Sequence, residues 1–289
     1  MKHDKNRSRR DFLKSTGAAT AAGLACLGGS LTPGGSDAAE PPASKPRRPL
    51  RLALASYTLR KFDLDQTLAM TKRVGLDAIC LKSFHLPLNS SPEQIAAAVA
   101  KVKEAGITLY GGGVIGMKNP EQVDLAFEYA KAAGMVKIIG APSVEMLPLV
   151  NEKVRQYDIE VCIHNHGPGD SHFPTPQSGY EKIKQFDTRI GFCHDIGHTK
   201  RYGRDPVTET RNCADRILDI HFKDVTEAAK QGHSTPCGRG IMDLPGMIRA
   251  LIDIDYKGYV SFEYEEHPGD PLPGLAESVG YVRGVMDAI

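Results

Sequence analysis

The chain has 289 residues and an almost balanced charge, with 36 Lys and Arg against 35 Asp and Glu, for a formal net charge of +1. A chain with this balance has no excess of positive charge to attract a nucleic acid backbone or an anionic membrane, so we predict neither as a partner. A small polar molecule is the expected ligand. The six cysteines include no pair with zinc-ribbon spacing, and those within apolar runs are expected to be buried free thiols.

The N-terminus contains the segment SRRDFLK at residues 8–14, followed by a mildly apolar run rich in Gly and Ala. A basic segment, a short apolar segment and small residues near a possible cut are typical of a secretory signal. The paired arginines resemble the twin-arginine export signal. We therefore predict a signal peptide over residues 1–39 and a periplasmic or other extracytoplasmic location. The apolar run is too short for a stable membrane span.

Residues 31–48 are rich in Pro, Gly, Ser and Ala and cannot form a hydrophobic core. The prediction is a flexible linker over residues 40–49, followed by one ordered domain over residues 50–289. Its length of about 240 residues is usual for a (β/α)8 barrel.

From residue 50 onward, short β-rich runs alternate with longer stretches of helical periodicity. The predicted strands, in chain order, lie within residues 51–59, 77–84, 107–115, 136–143, 159–166, 189–198, 217–225 and 259–266. The predicted helices that follow them lie within residues 63–75, 91–106, 119–134, 144–157, 177–186, 205–214, 243–255 and 274–289.

Eight strand-then-helix units in series favour an α/β fold in which parallel strands close into a (β/α)8 TIM barrel, because continuously apolar strands need helices over their outer face. An open, doubly wound sheet is the alternative. It is less favoured because no glycine-rich dinucleotide-binding motif follows the first strand.

Each of the last four predicted strands ends in a residue of a type that can bind a metal ion. In a TIM barrel, such positions share one mouth at the carboxyl ends of the strands. Two imidazoles and two carboxylates suit a divalent ion such as Mn, Co, Zn or Fe. Single histidines at strand ends are often ordinary hydrogen-bonded residues, but four such ends in succession favour a metal site. The predicted ligands are His164, Asp195, His221 and Glu263, and equal strand parity leaves His166 and Glu265 as alternatives to His164 and Glu263.

Four segments, DIGH, HFKD, CGRGIMDLPGMIRAL and FEYE, resemble the xylose isomerase-like TIM barrels over residues 50–289. This family includes sugar phosphate isomerases and epimerases, inosose dehydratases and endonuclease IV. The resemblance implies that Asp195, His221 and Glu263 are metal ligands. It also implies that His198 contacts substrate oxygens or the metal and that Arg239 contacts substrate.

The chain departs from the ketose epimerases at the fifth strand, where those proteins have a glutamate and this chain has His164. Epimerisation needs a base on one face of a carbon and an acid on the other. Replacement of one carboxylate favours a one-sided reaction, in which a proton is removed next to a carbonyl and the metal stabilises the enolate charge. Glu263 is the candidate base, Lys82 is a candidate acid or oxyanion-stabilising cation, and Lys223 is a further candidate acid.

The predicted catalytic set is completed by His198. The predicted substrate-binding residues are His85, His166, Arg239 and Glu265.

Three functions remain open from the sequence. The first is an exported, metal-dependent sugar isomerase or epimerase acting on a carbohydrate or keto sugar. The second is a metal-dependent lyase or hydratase that cleaves or hydrates 3-keto-glycosides. The third is a non-catalytic sugar-binding barrel. Each predicts a small-molecule sugar as partner, and a homo-oligomer is possible.

Overall fold

The computed structural model describes residues 49–289. The predicted signal peptide and the predicted linker up to residue 48 lie outside the described residues. The described chain contains a closed barrel of eight parallel strands, which confirms the predicted fold class. The barrel strands are β1 (Arg51–Ala55), β2 (Ala78–Leu81), β3 (Thr108–Met117), β4 (Lys137–Pro142), β5 (Glu160–His164), β6 (Ile190–Asp195), β7 (Ile217–Phe222) and β10 (Tyr259–Phe262).

A small antiparallel hairpin lies between the seventh and eighth barrel strands. It pairs β8 (Asp224–Val225) with β9 (Ser234–Thr235). The sequence predicted one strand over residues 217–225, whereas the chain leaves the barrel sheet at Phe222 and enters this second sheet at Asp224.

Helices cover the outside of the barrel between successive strands. They are α1 (Leu64–Arg73), α2 (Pro92–Glu104), α3 (Pro120–Ala132), α4 (Leu147–Tyr157), α5 (Pro176–Ile183), α6 (Ile196–Arg201), α7 (Pro206–Asn212), α8 (Leu244–Asp253) and α9 (Leu272–Ala288). Within residues 49–289, no helix combines the length and apolar character needed to cross a membrane.

The predicted helix starts follow from side-chain capping. The Asp63 and Ser91 side chains each accept the backbone N–H of the residue three positions later, and the side chains of Gln66 and Gln94 accept the backbone N–H of the capping residue in return. Such reciprocal bonds satisfy amide groups that lack a partner within the helix. Helix α6 was not predicted, because it begins directly after β6 and has only six residues.

The barrel strands are arranged in chain order, and β1 closes the ring against β10. Neighbouring strands are in a register that places His164 beside Cys193 and Asp195 beside His221. The register therefore brings the ends of β5, β6 and β7 to one rim.

Two apolar clusters stabilise the described chain. A large cluster fills the layer between the strands and the surrounding helices. A smaller cluster inside the barrel includes Tyr110, Ile139 and three cysteines. All five cysteines of the described part are free and buried, which confirms the prediction made for Cys80, Cys162 and Cys193 within apolar runs.

Candidate metal centre and substrate cavity

Four predicted metal ligands lie together at the carboxyl ends of their strands. His164 and Asp195 are the last residues of β5 and β6, His221 is the penultimate residue of β7, and Glu263 directly follows β10. Each is buried and offers one ligand atom, and these atoms lie within 4.8 Å of one another. We refer to these four residues as the ligand quartet.

Short distances connect the members of the ligand quartet. The Nε2 atom of His164 lies 3.0 Å from Nδ1 of His221 and 3.4 Å from Oδ2 of Asp195. Nδ1 of His221 lies 3.2 Å from Oε2 of Glu263. The structure therefore turns one nitrogen of each imidazole and one oxygen of each carboxylate towards a common point.

Helix α6 fixes the orientation of the Asp195 carboxylate. Asp195 is the N-cap of this helix, and its Oδ1 atom accepts the His198 N–H at 2.7 Å. The same bond satisfies an otherwise unpaired amide at the helix start. Oδ2 is left to face the ligand quartet.

The chemistry of the ligand quartet fits a divalent ion. Oδ2 of Asp195 is buried, and its nearest cationic partner is the Lys223 ammonium at 2.9 Å, which is shared with the carboxylates of Glu263 and Glu265. One ammonium cannot compensate three buried or partly buried carboxylates, and uncompensated charge in such a site is costly unless a further cation binds. Two imidazole nitrogens and two carboxylate oxygens suit Mn, Co, Zn or Fe.

Burial and neighbouring charges set the protonation of the two histidines. Burial lowers the pKa of His164 well below its usual value and so favours the neutral imidazole that binds metals. Burial also acts to lower the pKa of His221, but the adjacent Glu263 carboxylate outweighs it and raises that pKa. Binding an ion through His221 would therefore release a proton, and affinity should fall with acidification.

Lys223 supplies a buried ammonium among three carboxylates. Its Nζ atom lies 2.9 Å from Asp195 Oδ2 and 2.7 Å from Glu263 Oε2, and it also contacts Glu265. Burial acts to lower the pKa of Lys223, but these three carboxylates raise it well above the usual range. Lys223 is therefore a persistent cation and a weak proton donor, which disfavours its predicted role as an acid.

The same pairing weakens Glu263 as a base. Burial acts to raise the pKa of Glu263, but Lys223 and His221 together hold it well below its usual value. A carboxylate with a depressed pKa accepts protons poorly.

A cavity of about 200 Å³ opens beside the ligand quartet. Pockets for drug-sized ligands are larger, about 300–1,000 Å³. The cavity is therefore suited to a molecule of about one sugar ring. Its lining residues are Tyr57, Lys82, Val114, His164, His166, His198, Glu263 and Glu265.

The structure does not bring two of the predicted substrate-binding residues to this cavity. His85 is buried, and its ring nitrogens contact Ser56 Oγ at 2.8 Å and Thr67 Oγ1 at 3.0 Å. Arg239 has an exposed side chain that pairs with Glu277 at 2.5 Å. These contacts provide a structural role for His85 and leave Arg239 outside the cavity lining.

Three residues near the site were not among the sequence predictions. Tyr57 lines the cavity, and its ring lies 5.2 Å from the Lys82 ammonium. Asn165 bonds the backbone of Asp195. Asp170 Oδ2 lies 3.7 Å from His166 Nδ1. The HNHGPGD segment contained both Asn165 and Asp170, but only the fold of its glycine-rich turn shows what they contact.

Comparison with known proteins agrees with the fold. The family model of the xylose isomerase-like TIM barrels matches residues 35–285. A twin-arginine translocation signal matches residues 8–25, which supports export.

Curated relatives and solved structures are consistent with this match. Inosose dehydratase from Lacticaseibacillus casei is 25% identical over 142 residues, which are 44% of this chain and 47% of that protein. The chain thus spans about half the length of the curated relatives it matches.

Two solved structures share the barrel. The IOLI protein with a binding zinc atom has a TM-score of 0.70 at 15% identity, covering 83% of this chain and 99% of that one. D-psicose 3-epimerase with D-tagatose, from Clostridium cellulolyticum H10, has a TM-score of 0.66 at 16% identity, covering 82% and 99%. At these identities the likeness shows the fold.

Proposed function

Because the chain belongs to the xylose isomerase-like TIM barrel family, we propose that it is an exported, divalent-metal-dependent enzyme that removes a proton next to the carbonyl of a keto sugar. The observation that carries the proposal is the convergence of the ligand quartet beside a cavity of sugar-ring size. Isomerisation or epimerisation is the first outcome we propose. The export signal at residues 8–25 supports action outside the cytoplasm, and the compartment we propose is the periplasm or another extracytoplasmic one.

The ligand quartet would hold the ion, which when bound polarises a substrate carbonyl and stabilises the charge that develops on its oxygen. His198 is positioned to orient the substrate. Its Nδ1 atom lies 3.4 Å from Nη1 of Arg201. A guanidinium can only donate, so Nδ1 accepts and Nε2 carries the proton. His198 would thus offer an N–H to a substrate oxygen.

His166 is our candidate for the proton acceptor. Asp170 accepts the backbone N–H groups of His172 and Phe173 on Oδ1, which leaves Oδ2 to face Nδ1 of His166. A carboxylate on this side favours the tautomer with its proton on Nδ1, so that Nε2 is the atom able to accept a proton. The depressed pKa of Glu263 makes that carboxylate a poor base.

A dehydratase or lyase is the second candidate. His164 occupies the position at which ketose epimerases have a second carboxylate, and Lys82 lines the cavity without an ion pair anywhere in residues 49–289. An unpaired ammonium can stabilise or protonate a departing hydroxyl or alkoxyl group. The similarity to inosose dehydratases supports this outcome.

Deuterium exchange tests the step common to both outcomes. The Mn²⁺-loaded enzyme would be incubated in D₂O with a 3-keto-glycoside and, separately, with an inosose, and followed by NMR. We expect deuterium next to the carbonyl, and loss of exchange in Asp195→Ala but not in the exposed control Asp253→Ala.

The products separate the alternatives. A new epimer supports the first outcome, whereas an unsaturated product or a released aglycone supports the second. Stoichiometric Mn²⁺ with no exchange on any keto sugar would contradict the proposal and favour a non-catalytic sugar-binding barrel.

A further inference from the structure

Lys223 contacts the same carboxylate oxygens that would bind the ion. Its ammonium lies 2.9 Å from Asp195 Oδ2 and 2.7 Å from Glu263 Oε2. These two atoms are also the ones that His164 and His221 approach, at 3.4 and 3.2 Å. A bound ion and the ammonium would therefore contact the same pair of oxygens, and their positive charges would repel each other.

The lysine cannot easily leave this position. Its side chain is only 3% exposed, and its stem packs against Gly197 at the start of helix α6. A Cβ on Gly197 would lie 2.5 Å from Cγ and 2.7 Å from Cδ of Lys223, so the glycine provides the space for the stem. The ammonium is thus a fixed part of the centre.

The charges of the centre match an ion of charge two. Asp195, Glu263 and Glu265 contribute three negative charges, and Lys223 contributes one positive charge. With neutral imidazoles, two negative charges remain, which a divalent ion neutralises. A trivalent ion would leave a net positive charge in a buried site, where unbalanced charge is expensive.

We infer that Lys223 sets the charge selectivity of the metal centre, so that the site accepts divalent ions and disfavours trivalent ones. This inference rests on the proposed metal-dependent function. The ligand quartet alone does not select ions by charge, because its four ligand atoms would bind divalent and trivalent ions alike. The ammonium is what makes the charge of the centre equal to that of a divalent ion.

Competition between Mn²⁺ and Tb³⁺ tests the inference without using activity. Free Mn²⁺ is measured by electron paramagnetic resonance while the full chain is titrated with each ion. Lys223→Met keeps most of the stem and removes the charge, and Lys223→Arg keeps the charge. We expect the ratio of Tb³⁺ to Mn²⁺ affinity to rise roughly tenfold or more in Lys223→Met, since close charges in a partly desolvated site interact strongly, and to change little in Lys223→Arg.

A converse variant keeps the test decisive if Lys223→Met fails to fold. Glu265→Gln removes one carboxylate that contacts Lys223 and lies outside the ligand quartet, and the Glu265 side chain is 33% exposed. This variant should shift the affinity ratio towards Mn²⁺. An unchanged ratio in a folded Lys223→Met or Glu265→Gln would overturn the inference, whereas failure of the wild-type chain to bind Mn²⁺ would instead refute the proposed metal-dependent function.

Discussion

The Asn165 side chain bonds both polar groups of the Asp195 peptide. Its Oδ1 atom accepts the Asp195 N–H at 2.8 Å, and its Nδ2 atom donates to the Asp195 carbonyl at 3.1 Å. Asn165 directly follows His164, so this pair of bonds links the ends of two strands that carry proposed ligands. Asn165 is fully buried, and its amide also donates to Thr199 Oγ1 at 3.1 Å.

Replacing Asn165 by Ala should therefore weaken metal binding. Loss of residues that orient metal ligands typically costs roughly 10- to 100-fold in affinity, and we expect a loss in this range. Calorimetric titration with Mn²⁺ measures it. The control is Asn151→Ala, which removes a similar side chain that accepts the Asp187 N–H at 2.8 Å away from the cavity. Equal Mn²⁺ affinity in the two variants would contradict a role for Asn165 in the metal centre.

Lys82 should affect turnover and not metal affinity. It lines the cavity but is not a member of the ligand quartet, and its ring contact is with Tyr57. If its ammonium stabilises an oxyanion or a leaving group, Lys82→Met should lower kcat roughly 100-fold, as does loss of a single oxyanion donor in other enzymes. Mn²⁺ affinity should stay close to that of the wild type.

Lys72→Met is the matched control for Lys82, because Lys72 is exposed and donates to the Gly106 carbonyl on the outside of the barrel. An unaltered kcat in Lys82→Met would show that this lysine does not contribute to the proposed reaction. A rise in KM alone would indicate that Lys82 binds the substrate without contributing to the chemical step.

The sequence was sufficient for the barrel and for the proposed ligands. Strand ends in a parallel barrel meet at one rim, so the residues at the ends of β5, β6, β7 and β10 could be expected to lie together, while equal parity left His166 and Glu265 open as alternative ligands. The two-residue strands β8 and β9 have no detectable periodicity, and this hairpin was missed.

The sequence position of His85 did not show which way its side chain points. Strand β2 ends at Leu81, and His85 lies in the turn that follows, where alternation no longer indicates which way a side chain points. The Asp224 carboxylate accepts backbone N–H groups in the loop that follows, including those of Gly238 and Gly240 at 3.0 Å. Such contacts between distant segments are not visible in a sequence pattern.

His85 should contribute to stability and not to the active site. Its ring bridges Ser56 and Thr67 and also lies 3.1 Å from the Phe62 carbonyl. Removing it leaves buried polar groups without partners, which costs about 1–3 kcal/mol. His85→Ala should lower the free energy of unfolding by this amount in urea denaturation, with Mn²⁺ affinity unchanged.

His166→Ala provides the comparison for His85, since His166 lines the cavity and its side chain is 44% exposed. It should leave stability nearly unchanged and reduce turnover. If His85→Ala instead lost turnover at wild-type stability, the sequence-based prediction of a substrate-binding His85 would be supported over the structural role.

His194 should make the protein less stable in acid. This residue is fully buried between two threonines, with Nδ1 at 3.0 Å from Thr210 Oγ1 and Nε2 at 2.9 Å from Thr199 Oγ1. Burial lowers its pKa from 6.5 to about 4. Above pH 6.5 the imidazole is neutral in both the folded and the unfolded chain and has no effect on stability. Below this pH the unfolded chain binds a proton that the folded chain binds only near pH 4.

Stability is therefore lost as the pH falls from 6.5 through about 4, by an amount of about 3 kcal/mol for this group. His194→Gln cannot titrate, so between pH 7 and pH 4 the wild type should lose about 3 kcal/mol more unfolding free energy than this variant, even if the variant is less stable at pH 7. Urea denaturation at a series of pH values measures the difference, and the exposed His172→Gln is the control. Parallel pH profiles for the wild type and His194→Gln would show that His194 is not held neutral by the fold.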